Sequence, residues 1–337
     1  MSQKEKQKRT DEIETTGVGN MKLKNLATAA LFAAGSALAS LGLPHAALAD
    51  TTKLKVGYLP VGVYSYFWRA QDAGYFADEN LEVELVPMAG GGQIIPALQS
   101  GALQFGISDA LGVLNARKGG LPVTYVSFNF SQSTENPVHA VLTTNPDIKT
   151  PKDLEGKAVA TNLSYNTDWT MMREWLRKND VDIDKVTFRE IPFPDMLPAL
   201  RNDTVAAVGA VEPFVTFGKE QGANVLGHYF TDVKSPVVLS GIVAMLPYVE
   251  ENPDIVKGFV KAVNRAIDDF NADPAVARKT IGEHTKIPAS AIEAMNLGSW
   301  ETEVPPSEIQ FWVEAAKKEG ILNETEDLDS LVWSPAE

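Results

Sequence analysis

From Leu54 onward the apolar and polar positions fall into short runs that alternate between two periods. Leu54 to Leu59 is a short apolar strand, and Phe67 to Phe76 carries helical spacing that ends near Gly74. Leu81 to Met88 alternates apolar and acidic residues with a period of two, as a half-buried strand does. The turn Gly90-Gly91-Gly92 then leads into a helix over Gln93 to Gln99, and Gln104 to Ile107 is the next strand. Strands separated by helices of this length predict βαβ units with parallel strands, so the fold class is α/β.

The unit occurs twice. Pro96-Ala97-Leu98-Gln99-Ser100-Gly101-Ala102-Leu103-Gln104-Phe105-Gly106-Ile107 aligns with Pro198-Ala199-Leu200-Arg201-Asn202-Asp203-Thr204-Val205-Ala206-Ala207-Val208-Gly209. Two copies predict two similar lobes, because a solenoid needs several tandem repeats. Between the copies, Ser131 to Asn136 and Pro137 precede the apolar strand Val138 to Thr143. Asp232 to Pro236 precedes the strand Val237 to Met245. These polar, Pro-bearing stretches are the expected crossovers, with hinges near 131–137 and 232–237. One lobe then comprises residues 50–135 plus 237–337 and the other residues 137–232. The C-terminal third is mostly helical, and Ile255, Val256, Phe259, Val260, Val263, Ile267 and Phe270 follow the spacing of a core-facing stripe.

The N-terminus has a different grammar. Met21-Lys22-Leu23-Lys24-Asn25 is basic, Leu26 to Leu43 is apolar, and Ala47-Leu48-Ala49 is a small-x-small site. That order predicts a secretory signal peptide cleaved after Ala49, with residues 1–20 as a leader extension. No later run reaches the length needed to cross a bilayer, so the mature chain is expected to be soluble.

The sequence has no cysteine, which rules out disulfides, zinc–thiolate sites, cysteine nucleophiles and a lipidated-cysteine anchor on these residues. The formal charge is -14; setting aside the six basic and four acidic residues before Asp50 leaves 24 basic against 40 acidic, near -16. Such a surface repels polyanions, and the absence of a Lys/Arg run after the leader argues against nucleic-acid binding.

Several phrases, in this order and spacing, carry a resemblance: Lys55-Val56-Gly57-Tyr58-Leu59-Pro60, then Ala73-Gly74-Tyr75-Phe76-Ala77-Asp78-Glu79-Asn80-Leu81-Glu82-Val83-Glu84, the Gly-rich turn, the stretch Pro151 to Lys157, and Val211-Glu212-Pro213. Over residues 53 to 320 the chain resembles ABC-transporter periplasmic substrate-binding proteins, in particular the group for aliphatic sulfonates, taurine, nitrate and thiamine pyrimidine precursors. The resemblance implies a type II periplasmic-binding fold, two α/β lobes on a two-strand hinge, and a monomer that carries no cofactor and no metal. It also implies a small-molecule ligand, and as partners an ABC permease and its ATPase. It leaves the ligand open, because members share framework phrases while their pocket loops differ.

Ligands of open parallel sheets bind beyond the carboxyl ends of the strands, where loops lead into helix N-termini whose free N–H groups attract anions. The expected ligand-binding residues are Tyr64 and Phe67 in an aromatic loop, Gly91, Gly92 and Gln93 at the Gly-rich turn, and Ser108 and Asp109 after a strand. In the second lobe they are Asn162, Ser164, Tyr165, Asn166, Thr167 and Asp168 in one loop, with Asp195 and Glu212 nearby. Glycine triplets also make plain turns, and one or two of the polar loop residues are expected to serve only as helix caps. The carboxylates oppose a purely anionic ligand and favour a small polar molecule with an anionic end and a donor or planar end.

Two enzymatic alternatives are weaker. Gly106-Ile107-Ser108-Asp109-Ala110 resembles a serine nucleophile elbow with Ala in the last position, but His139, His228 and His284 lie in no matching motif. Pyrimidine synthases of the same fold carry a cysteine-rich motif that this sequence lacks.

Overall fold

A computed structural model describes residues 51–302, 307–322 and 331–333. The expected export signal at 1–49 lies outside the described residues. Eleven strands are described: β1 (Thr52–Tyr58), β2 (Leu81–Pro87), β3 (Phe105–Asp109), β4 (Val123–Gln132), β5 (His139–Thr143), β6 (Ala158–Thr161), β7 (Thr187–Glu190), β8 (Ala207–Val211), β9 (Asn224–Gly227), β10 (Val237–Met245) and β11 (Ser299–Trp300). They form two sheets, ordered β2-β1-β3-β10-β4-β11 and β7-β6-β8-β5-β9.

The two sheets repeat one plan. In the first, β1 runs parallel to β2 and β3, and β10 inserts antiparallel between β3 and β4. In the second, β6 runs parallel to β7 and β8, and β5 inserts antiparallel between β8 and β9. Each inserted strand arrives from the other sheet, through residues 133–138 before β5 and 228–236 before β10. The mixed α/β fold therefore has two lobes, each completed by chain that has crossed over.

The sequence echo has a structural counterpart. The helices Gly91–Gln99 and Phe193–Arg201 each contain an internal proline, Pro96 and Pro198. Gly101 and Asp203 take left-handed backbone angles at the same point of the two copies, with φ 75° and 52°. The segment from Phe67 to Phe76, expected as one helix, is two: Tyr66–Asp72 and Tyr75–Asp78. Gly74 at φ 75° lies between them, a geometry that glycine adopts without a Cβ penalty and that redirects the chain.

Period-two patterning in β2 buries Leu81 and Val83 and exposes Glu82 and Glu84, which pair with Lys53 and Lys55 of β1 at 3.5 and 3.0 Å. These exposed ion pairs align the strands but add little stability. The helix Pro253–Ala272 buries Val256, Phe259, Val263, Ile267 and Phe270 as the spacing predicts, while Ile255 and Val260 are half-buried at the edge of the stripe. Phe259 stacks on Phe105 of β3 at 4.2 Å and on Phe76 at 5.5 Å, joining this helix to the first sheet.

Phe259→Ala removes both stacked contacts and opens a cavity, and is expected to lower the unfolding free energy by about 3–5 kcal/mol in urea titrations. A loss under about 1 kcal/mol would show that the helix does not depend on this ring.

Candidate functional site

A cavity of about 650 Å³ lies between the sheets, at the carboxyl ends of the parallel strands. The first lobe contributes Tyr64 after β1, the turn Gly90 to Gln93 after β2, and Asp109 at the end of β3. The second contributes Asn162, Asn166, Thr167 and Asp168 after β6, Glu190 at the end of β7, and Phe193 and Phe214 at the starts of helices. Phe130 of β4, His139 of β5, Phe230 of the second crossover, and Leu239 and Ser240 of β10 also line it. The apolar rings make walls on which a planar ligand can stack.

The Gly-rich turn shows why glycine stands there. Gly90 has φ 139°, a conformation closed to other residues at low cost. A Cβ on Gly91 would sit 3.0 Å from Ser108 Oγ, and one on Gly92 would sit 3.3 Å from the Leu163 side chain across the cleft. The helix Gly91–Gln99 that follows has no side-chain cap.

Asp109 caps the helix Ala110–Lys118 by accepting from the Leu111 and Gly112 amides, both at 3.1 Å. Its Oδ1 also accepts from the Thr167 amide at 3.3 Å, at the start of the helix Thr167–Lys178 in the other lobe. One carboxylate thus occupies two helix N-termini, and they offset part of the cost of burying it; burial still raises its pKa. Asn115 Nδ2 donates to the Tyr165 carbonyl at 3.1 Å, a second bond between the lobes.

Asp168 is buried and accepts from the Asn162 amide at 2.9 Å and from the Tyr229 hydroxyl. Burial, with a smaller push from the nearby Asp109 charge, raises its pKa to about 7 against the pull of these bonds. Among the described residues no lysine or arginine lines the cavity. The site therefore holds three carboxyl groups, those of Asp109, Asp168 and Glu190, with no cation opposite them.

The structure brings together nine of the expected residues: Tyr64, Gly91, Gly92, Gln93, Asp109, Asn162, Asn166, Thr167 and Asp168. Asn166 is mainly a cap, accepting from the Trp169 amide at 3.0 Å. Six others lie off the cavity wall. Phe67 is fully buried among Tyr58, Tyr66 and Phe259, because the helical spacing turns it into the core. Ser108 is enclosed behind Gly91 and donates to the Asp109 carbonyl at 3.2 Å, with no histidine as its partner. The Ser164 amide donates to Glu190 at 3.0 Å, and Tyr165 is 58% exposed with its ring against Trp169. Asp195 faces outward from the helix Phe193–Arg201. Glu212 turns back to the Thr216 amide at 3.0 Å and hydroxyl at 3.1 Å, capping the next helix.

Sequence reasoning missed Glu190, His139 and Ser240. Glu190 ends a four-residue strand with exposed neighbours, whereas His139 and Ser240 sit on strands whose antiparallel insertion no local pattern reveals.

Comparison with known proteins bears on the family and the fold. The family model described as "NMT1/THI5 like" matches residues 63–277. A riboflavin-binding protein of Chloroflexus aurantiacus is 24% identical over 225 residues, which cover 66% of this chain and 62% of that protein. A formylaminopyrimidine-binding protein of Halalkalibacterium halodurans is 30% identical over 110 residues, 33% of this chain and 32% of that protein. The match thus spans less than two thirds of either relative. The alkanesulfonate-binding protein of Xanthomonas axonopodis pv. citri, solved bound to MOPS, has 17% identity and a TM-score of 0.71 over 85% of this chain and 99% of that one. That likeness establishes the periplasmic-binding fold.

Because Asp168 titrates near 3.8 when unfolded and near 7 when folded, the stability tied to its protonated form is present below pH 3.8 and lost as pH rises through 7. Asp168→Asn lacks this loss, so its stability relative to wild type is expected to rise between about pH 4 and pH 7 in paired urea titrations. A constant difference across that range would mean that Asp168 is ionised throughout.

Proposed function

As the chain belongs to the NMT1/THI5-like family, we propose that it is the exported solute-binding component of an ABC importer, closing its two lobes over a planar, hydrogen-donating nitrogen heterocycle. The observation that carries this reading is the cavity's charge: three carboxyl groups, apolar and aromatic walls, and no lysine or arginine among the described lining residues. A bare anion in that space would face Asp109, Asp168 and Glu190 without a counter-ion. Two helix N-termini that would otherwise attract an anion, those of Ala110–Lys118 and Thr167–Lys178, are already taken by Asp109, which accepts from Leu111, Gly112 and Thr167.

This revises the expectation of an anionic end on the ligand. What remains open to a guest is acceptor capacity on Asp168 and Glu190 and donor capacity at the uncapped Gly91–Gln99 helix. An aminopyrimidine or a flavin ring presents amino or imino donors together with ring acceptors, on a flat body suited to a cavity lined by rings such as Phe130 and Phe193. The relatives named for riboflavin and for formylaminopyrimidine bind molecules of this chemistry, which supports the reading.

In this account the mature chain begins after Ala49, works as a monomer in the periplasm, and hands its cargo to a permease and ATPase. Residues 133–138 and 228–236 serve as the hinge. No helix among the described residues is long and apolar enough to cross a membrane.

The test is calorimetric and thermal-shift titration of the chain from Asp50 against riboflavin, 4-aminopyrimidine, taurine and nitrate. A heterocycle is expected to bind and raise the melting temperature, while nitrate and taurine do neither; tight binding of nitrate or taurine alone overturns the ligand class. Glu190→Gln is expected to weaken the heterocycle about 10–100-fold, the worth of a hydrogen bond to a charged group. Because a donor favours the ionised carboxylate, binding at pH 6.5 is expected to release protons from Asp168, read by repeating the titration in buffers of different ionisation enthalpy.

A further inference from the structure

His139 lines the cavity as the first residue of β5, where the chain enters the second lobe. Its tautomer follows from Gln132, the buried last residue of β4, whose side chain spans the first crossover. The Val138 backbone amide can only donate, and it meets Gln132 Oε1 at 3.0 Å. That bond orients the carboxamide, so the end facing His139 Nδ1, at 2.9 Å, is the Nε2 amino group. An amide nitrogen can only donate, so Nδ1 must accept and the single ring proton of neutral His139 resides on its own Nε2. Burial, with a smaller contribution from the nearby His228, supports the neutral form by lowering the His139 pKa to about 3. The ring is held by Phe230 at 4.4 Å and Tyr229 at 5.9 Å, and the His139 carbonyl accepts from His228 Nδ1 at 3.0 Å.

His139 Nε2 has no hydrogen-bond partner among the described residues and is not one of the fully enclosed unpartnered atoms, and His139 is a lining residue of the cavity. We propose that His139 determines ligand specificity as a donor of fixed polarity, set by Gln132, that requires an acceptor atom on the ligand, such as a ring carbonyl oxygen or an unprotonated ring nitrogen. This rests on the heterocycle reading and narrows it: the cargo carries donors for Asp168 and Glu190 and, in addition, an acceptor for His139. A ligand with donors only leaves the Nε2–H unpaired in a dry site, which costs affinity. Because Gln132 precedes the crossover and bonds to Val138 and His139 at its far end, the donor is also fixed relative to the chain that joins the sheets.

The test uses nitrogen-15 NMR of ring nitrogens in the chain from Asp50, which holds three histidines: His139, His228 and His284. One histidine is expected to show the Nε2-protonated neutral pattern without titrating between pH 5 and pH 8; its absence in His139→Gln assigns it. A Nδ1-protonated or cationic His139 overturns the proposal. In Gln132→Glu the carboxylate can only accept, so the proton is expected to move to Nδ1 or the ring to become charged, and riboflavin affinity to fall about tenfold. Unchanged riboflavin affinity in a variant whose ring has switched overturns the specificity role. Failure of riboflavin and 4-aminopyrimidine alike to bind the wild-type chain overturns the heterocycle reading and the selecting role with it, while the wild-type spectrum still decides the tautomer.

Discussion

Each sheet borrows a strand from chain that has just left the other, and the site depends on that exchange. β10 pairs with β4 from Val237↔Gln132 to Met245↔Val123 and with β3 over four positions, while β5 fills the same slot between β8 and β9. The first sheet is complete only when the chain has crossed to the second and returned, so the cavity is walled by two sheets joined through 133–138 and 228–236. The exchange also puts unrelated residues together: Ser240 of β10 comes opposite Asp109 of β3 and accepts from the Tyr64 hydroxyl at 3.1 Å. His139 reaches the cavity for the same reason.

Within that frame the electrostatics are unusual. Carboxylates buried without cations are costly, and here hydrogen bonds offset part of the cost: Asp109 holds three backbone amides, Asp168 one plus the Tyr229 hydroxyl. The Asp109–Thr167 bond links a residue at the end of β3 in the first sheet to the helix start that follows β6 in the second. The same bonds use up the N–H groups at two of the helix N-termini that face the cavity. A donor on the ligand, by contrast, meets carboxylates with acceptor capacity to spare. Beyond the cleft, the helix Ser307–Lys318 lies against helices of both lobes, and Glu319 just after it, 2% exposed, pairs with Arg173 at 2.8 Å and with Arg177.

Much of the framework was legible because it is written in local period. The alternation in β2, the stripe of the helix Pro253–Ala272 and each of the two proline-bearing copies around 96 and 198 lie in windows of 20 residues or fewer. The site was half legible. Asp109, Thr167 and Asp168 could be found because helix starts after parallel strands converge on the cleft. Phe67 could not be sorted from Tyr64, since a loop one residue longer or shorter rotates the helix face and exchanges core for wall; in the structure Tyr64 faces the cavity and Phe67 packs on Phe259. Glu212 and Asn166 offered the same side-chain chemistry as ligand groups but were claimed by their own helices. His139 and Glu190 depend on inter-strand register, which no single run of residues encodes.

The central claim is that an uncompensated acidic cavity selects a donor-bearing planar ring. Its most direct measurement is the identity of the molecule retained when the chain is purified without denaturation from its producing cells, determined by native mass spectrometry and located by crystallography. The account predicts a nitrogen heterocycle between the aromatic walls, with donors on Asp168 or Glu190. A sulfonate or nitrate seated in the cavity, with no hydrogen-bond donor of its own, would contradict it.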